Sequence, residues 1–176
     1  MAGRSPEFDV YRIAAEAAST SGDYAESEKQ WLAALELAES EDESARLTLA
    51  LENLAEVFWY QHKFELAAPI LRRLLRLYEK RLGPSHFDVG IVANNMAMLY
   101  HAWGKHADAE PFYRQALEIK GRVLGEEHPD IAVILGNYSD LLKVLQRDDE
   151  ARKLDAYSQS LKPSGWRRSE DIRRVR

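Results

Sequence analysis

With 176 residues, 45% of them hydrophobic and 30% charged, the chain is long enough to bury roughly two-thirds of its unfolded surface and has neither a disordered nor a membrane-like composition. Its net charge of −5 argues against a general nucleic-acid binder, and no apolar run approaches the roughly 20 residues that span a bilayer, so no membrane insertion is expected. Cysteine is absent and the opening residues MAGRSPEF lack the apolar core of a secretory leader, which suits a cytoplasmic location; residues 1–8 read equally well as a vector-derived remnant.

Ser5-Pro6-Glu7 supplies an N-cap, a first-turn proline and an early acid, and predicts a helix to about Thr20 with Tyr11, Ala14, Ala15 and Ala18 on one face. Gly22 ends it. Asp23 with Glu26 caps a second helix, which carries Trp31, Ala34, Leu35 and Ala38 and fades near Ser40. After the acidic turn SEDES, residues 40–44, Leu47, Leu51, Leu54 and Phe58 mark a third helix that His62-Lys63 breaks. The fourth uses Leu66, Ile70, Leu71, Leu74 and Leu77 and closes at Gly83-Pro84. Gly104 divides helices five and six, Gly125 ends the sixth, Pro129 opens the seventh, and a turn at Gln146 to Asp149 leads into an eighth that stops at Pro163. No segment shows strand alternation or a hairpin dipeptide, so the fold class is all-α, eight antiparallel helices in four pairs.

The pairs repeat. At an offset of 42 residues Leu82 falls on Leu124, Gly83 on Gly125, His86 on His128, Asp88 on Asp130, Asn95 on Asn137 and Ala109 on Ala151; the same step back reaches Asn53 from Asn95 and Pro69 from Pro111. A fixed period of this length marks a stacked-repeat protein. The third pair carries Met96, Ala97 and Tyr100, then Gly104, then Ala109, Tyr113 and Ala116; the second carries Leu54, Ala55, Phe58, Ala67, Leu71 and Leu74; the first keeps Gly22, Ser27, Trp31 and Ala34. This pattern resembles the tetratricopeptide repeat, and the LGxxHPD spacing resembles the kinesin light chain variety of it. The resemblance implies a right-handed α-solenoid over residues 8–162, with repeats at about 8–40, 41–83, 84–125 and 126–162 and a basic tail at 163–176. In the fourth pair Asp155 and Ser158 stand where an aromatic and Ala would receive a further repeat, as expected of a polar terminal cap.

In that family the first helices of the pairs line a groove for an extended peptide, and the residue before the Leu of each first helix bonds the peptide backbone. The corresponding places hold Ile13, Asn53, Asn95 and Asn137, and an asparagine amide both donates and accepts. The same face is expected to carry Arg12, Glu16, Glu52, Glu56, Trp59, Asn94, Met98, His101, Asp140 and Lys143. Acids outnumber bases among these, so the expected partner is a protein or peptide segment that is neutral, apolar or basic, anchored on Trp59 and Met98.

Trp31 and Trp103 are expected in the core. Trp166 follows Pro163-Ser164-Gly165 beside Arg167 and Arg168 and is read as docking on the last pair or contacting another protein. The tail carries a net charge of +3 and the remaining chain −8, so anion contact, by nucleic acid or lipid, is a lesser alternative confined to the tail. Catalysis is not expected: the five histidines form no HExxH or i,i+4 pair, there is no Walker A, GxGxxG or GxSxG, and no cofactor or metal is called for. The leading expectation is an adaptor or scaffold. Its alternative is a self-assembling unit, a homo-oligomer joined through the solenoid ends or the tail.

Overall fold

A computed structural model describes residues 6–40 and 44–162. Among them are eight helices and no strand: α1 Pro6–Ser21, α2 Tyr24–Ser40, α3 Ser44–Tyr60, α4 Phe64–Leu82, α5 Phe87–Ala102, α6 His106–Leu124, α7 Pro129–Val144 and α8 Asp148–Ser160. The all-α expectation and its helix order hold. The chain divides within α4 into two compact units, Met1–Leu77 and Tyr78–Arg176.

Within each pair the turn uses one left-handed residue, at Gly22, His62, Gly104 and Gln146 with φ of 81°, 56°, 77° and 59°. The next amide reaches back five residues, as in Lys105 N–H to the Tyr100 carbonyl at 2.8 Å and Arg147 N–H to the Leu142 carbonyl at 2.9 Å. This closure satisfies a carbonyl that the helix end would leave open. Helix starts are also built locally. Asp23 accepts from the Glu26 amide at 3.1 Å, and the Nδ1 atoms of His86 and His128 accept from the Asp88 and Asp130 amides, each at 3.2 Å. The helix-start role expected from the recurrence of those histidines is thereby met.

In the first unit α2 packs on both α1 and α3. Trp31 fills that core at 1% exposure beside the buried Ala34, Leu35 and Ala38. Phe8 is buried too, under the Arg46 guanidinium 4.8 Å from its ring centre. Polar groups at the α2–α3 contact are paired: Glu28 accepts from Lys63 at 2.6 Å and from Gln61 at 2.8 Å, while Tyr24 stacks on Tyr60 at 4.8 Å. Burial pushes the Glu28 carboxyl up, but the bonds from Lys63 and Gln61 outweigh it and hold it below its ordinary value.

In the second unit α5 packs on α6, α6 on α7 and α7 on α8. The closest approach is at Gly90, where an added Cβ would meet Ile119 Cγ2 at 3.0 Å and Lys120 Cγ at 3.1 Å. Lys120 itself is 0% exposed, its Nζ 3.4 Å from Asp130 and 5.2 Å from the Phe87 ring centre. Burial lowers the pKa of this ammonium, and Asp130 opposes the shift only in part. Such a pair is weak support, because desolvating the ammonium costs more than one long contact returns. Lys120→Met keeps the apolar stem and is expected to raise stability by about 1 kcal/mol, read by urea unfolding at pH 7. A loss of stability in that variant would show that the Asp130 pair outweighs the desolvation.

Three expectations are corrected. Trp103 is half-buried, at the turn, with Lys105 Nζ 3.5 Å above its ring and Tyr100 stacked at 6.2 Å. Its indole sits beyond the last full turn of α5, where a cation can cover one face. Leu66, placed on the apolar face of the fourth helix, is 44% exposed. Asp155 and Ser158 serve their own pair: Asp155 lies 2.8 Å from Lys143, and Ser158, buried, donates to the Ala132 carbonyl at 2.8 Å.

Candidate functional site

The residues expected on the open face of each first helix fall into two sets, one in each unit. In the first unit, Arg12 on α1 is half-buried and bridges Asp9 at 3.1 Å and Glu16 at 3.0 Å. On α3, Glu52 and Glu56 are exposed, and Trp59 is half-buried with its ring edge-on to Phe64 at 5.7 Å. Asn53 is half-buried, and its amide donates to the Leu49 carbonyl one turn back at 2.8 Å. That donor is spent within its own helix; the side-chain oxygen keeps its acceptor capacity.

In the second unit Asn95 on α5 is exposed, Met98 and His101 are half-buried, and on α7 Asn137 and Asp140 are half-buried and Lys143 exposed. Asn94 requires a correction. It is 3% exposed, its Nδ2 donates weakly to Met98 Sδ at 3.4 Å, and its Oδ1 is buried without a hydrogen-bond partner. Asn94, Met98 and His101 follow one line of the helix at i, i+4 and i+7, but its first member sinks below the surface.

His101 ties this line to the helices beside it. Its Nδ1 is 3.4 Å from the Tyr113 hydroxyl, and its ring meets His106 edge-on at 5.6 Å. Burial is the main reason its pKa lies below the ordinary histidine value, with His106 adding to the shift and Asp140 opposing it. Burial likewise pushes the Tyr113 hydroxyl well above its ordinary value, so it stays protonated and able to donate. Both candidate cations of these faces are engaged, Arg12 as described and Lys143 with Asp140 at 3.1 Å and Asp155 at 2.8 Å.

A tetratricopeptide repeat model matches the chain over residues 8–80, 47–121 and 88–156. The chain belongs to the tetratricopeptide repeat family. A search of curated proteins finds no match. Among solved structures the chain is similar to BtubC (BKLC) from P. vanneervenii, with 22% identity and a TM-score of 0.76 over 88% of this chain. The chain spans 63% of that protein's length. It is also similar to a kinesin light chain-like protein with nearly identical TPR-like repeats from Podosopora anserina, with 15% identity and a TM-score of 0.78 over 94% of this chain and 80% of the other. These likenesses bear on fold: tetratricopeptide helix pairs of the kinesin light chain kind.

Among the described residues no helix is long and apolar enough to cross a membrane, and no group of three His, Asp or Glu side chains is placed to hold a metal. Trp166, Arg167 and Arg168 lie outside the described residues.

Sequence reasoning missed one polar cluster of this TPR chain. Glu110 on α6 accepts from Arg114 at 2.6 Å, from the Tyr138 hydroxyl at 2.7 Å and from Arg147 at 2.8 Å, and Arg147 continues to Glu150 at 2.6 Å. It borders a shallow hollow of about 370 Å³ lined by Ala107, Glu110, Pro111, Arg114, Gln115 and Glu118. The partners stand 28 and 37 residues from Glu110 in sequence, with no local spacing to betray them.

Proposed function

We propose that the chain is an adaptor whose first-helix faces hold an extended segment of a partner protein, by preorganised binding and without catalysis. Its family supports the general reading, since tetratricopeptide repeats mediate protein–protein interaction. The observation that carries the finer reading is the α5 line of the second unit. There Asn95 offers an exposed amide beside Met98 and His101, which are half-buried and so able to pack against a ligand at little cost in order. A main chain lying along this line has a donor and an acceptor from Asn95 and an adaptable apolar contact from Met98. Partner chemistry follows from charge. Arg12 and Lys143 are already neutralised by neighbouring carboxylates, whereas Glu16, Glu52 and Glu56 are exposed, so a neutral, apolar or basic segment is favoured over an acidic one.

Peptide display against the folded chain, followed by titration of the selected peptides, tests this. Apolar and basic sequences are expected to emerge. Asn95→Ala and Asn137→Ala are each expected to weaken them about fivefold, the worth of one hydrogen bond of about 1 kcal/mol. Acidic peptides, or binding indifferent to both substitutions, would remove the reading.

A further inference from the structure

The chain presents one first-helix surface unlike the others. On α1, Val10 is 63% exposed and Ile13 58% exposed, with Ala14 half-buried and Ala17 exposed beside them. The places equivalent to Val10, aligned on Ile13, Asn53, Asn95 and Asn137, are Ala50, Val92 and Ile134, which are 0%, 2% and 0% exposed. Those equivalent to Ala17 are Val57, Leu99 and Leu141, and all three are buried. The later helices bury this face against a neighbouring helix, as α3 does on α2 and α7 on α6. On α1 the same apolar face is open to solvent, and β-branched side chains one turn apart are a costly thing to leave wet.

We propose that this face is covered by the same face of a second copy of the chain, the two α1 helices lying antiparallel about a twofold axis. The other end of the chain does not match it. α6 meets α7 through Glu110, Tyr113, Arg114 and Lys120, and the α8 residues 42 positions later are Arg152, Asp155, Ala156 and Lys162. A head-to-tail contact would therefore set Val10 and Ile13 against charges, and it would continue without closing. A twofold contact sets apolar against apolar and closes at two copies.

The α1 sequence is self-complementary in the antiparallel sense. An axis passing between Ile13 and Ala14 places Val10 on the partner's Ala17 and Ile13 on the partner's Ala14, large on small each time. Small residues at two of the four places let the helices approach closely. Charges are compatible as well: Glu7 falls opposite Thr20, Asp9 opposite Ala18, Arg12 opposite Ala15 and Glu16 opposite Tyr11. A parallel pairing would instead oppose Asp9 to Asp9, Arg12 to Arg12 and Glu16 to Glu16. Arg12 already offsets Asp9 and Glu16 within each copy, so little like charge gathers at the axis.

Two 16-residue helices make a contact at the small end of the interface scale, so the dimer is reversible. Sedimentation of the full chain from about 1 µM to about 1 mM, the range in which such contacts dissociate, is expected to show monomer giving way to dimer. Val10→Asp is expected to remain monomeric throughout with an unchanged circular dichroism spectrum, because the side chain it replaces is exposed. The natural absence of cysteine allows a second readout. Chains carrying Val10→Cys mixed with chains carrying Ala17→Cys are expected to form an oxidised heterodimer, whereas Val10→Cys alone is not, its two sites lying about seven residues apart along the axis, roughly 10 Å and beyond disulfide reach. A wild-type chain that stays monomeric, a dimer that survives Val10→Asp, or a Val10→Cys chain that cross-links with itself would each overturn the proposal. The first of these would leave the face to a partner helix or to chain preceding α1.

Discussion

Trp31→Ala is expected to cost about 4 kcal/mol, the usual result of removing a fully enclosed large aromatic whose site cannot collapse. The indole is 1% exposed on α2, and its neighbours along the same face, Ala34 and Ala38, are 0% exposed and too small to swing into the space it leaves. Because α2 packs on both α1 and α3, the cavity would open between three helices rather than two. The effect should be local in character. Repeat proteins gain stability from each unit and its nearest neighbours, so amide exchange is expected to quicken first in α1, α2 and α3. The measurement is denaturant unfolding combined with hydrogen exchange. A loss below about 1 kcal/mol would mean the first unit repacks around the gap, which the alanines beside it give little means to do.

The fold was legible because the chain states it several times. One pair of helices is ambiguous on its own, but Leu82, Gly83, His86 and Asp88 recurring 42 residues later fix both the phase and the caps. The glycine turns were legible for the same reason, whereas the left-handed conformations at His62 and Gln146 were not. They sit 42 residues before and after Gly104, so the period could have marked them, yet their residue types do not demand a positive φ. The candidate faces were harder. Asn94 and Asn95 are neighbours of one residue type, and only packing by adjacent helices decides that one is buried and the other exposed. The open apolar face of α1 was hidden too, because Val10 and Ile13 read as ordinary core residues until the exposure of their equivalents is compared.

Loss of the Glu110 carboxylate is expected to be the largest polar effect in the chain. Its side chain is only 17% exposed and accepts from Arg114, Tyr138 and Arg147, so Glu110→Ala strands a buried hydroxyl and two guanidinium groups at once. Breaking a fully buried pair costs about 3–5 kcal/mol, and because Arg114 and Arg147 can turn to water, about 2–3 kcal/mol is expected here. The charge component has its own signature. Burial pushes the Glu110 carboxyl up, but hydrogen bonds from Arg147 and Tyr138, with the charges of Arg114 and Arg147, outweigh it and leave the pKa below the ordinary 4.5. The unfolded chain therefore binds this proton more readily than the folded one. Its contribution is fully present above about pH 5 and is lost as the pH falls through the lowered folded value. Glu110→Gln preserves shape and one acceptor but cannot ionise, so its stability below pH 5 should fall less steeply than that of the wild type. Parallel acid limbs in the two proteins, measured by unfolding between pH 3 and pH 7, would mean that the α6–α7 contact draws its strength from the Tyr113–Tyr138 stack at 5.7 Å and not from the carboxylate.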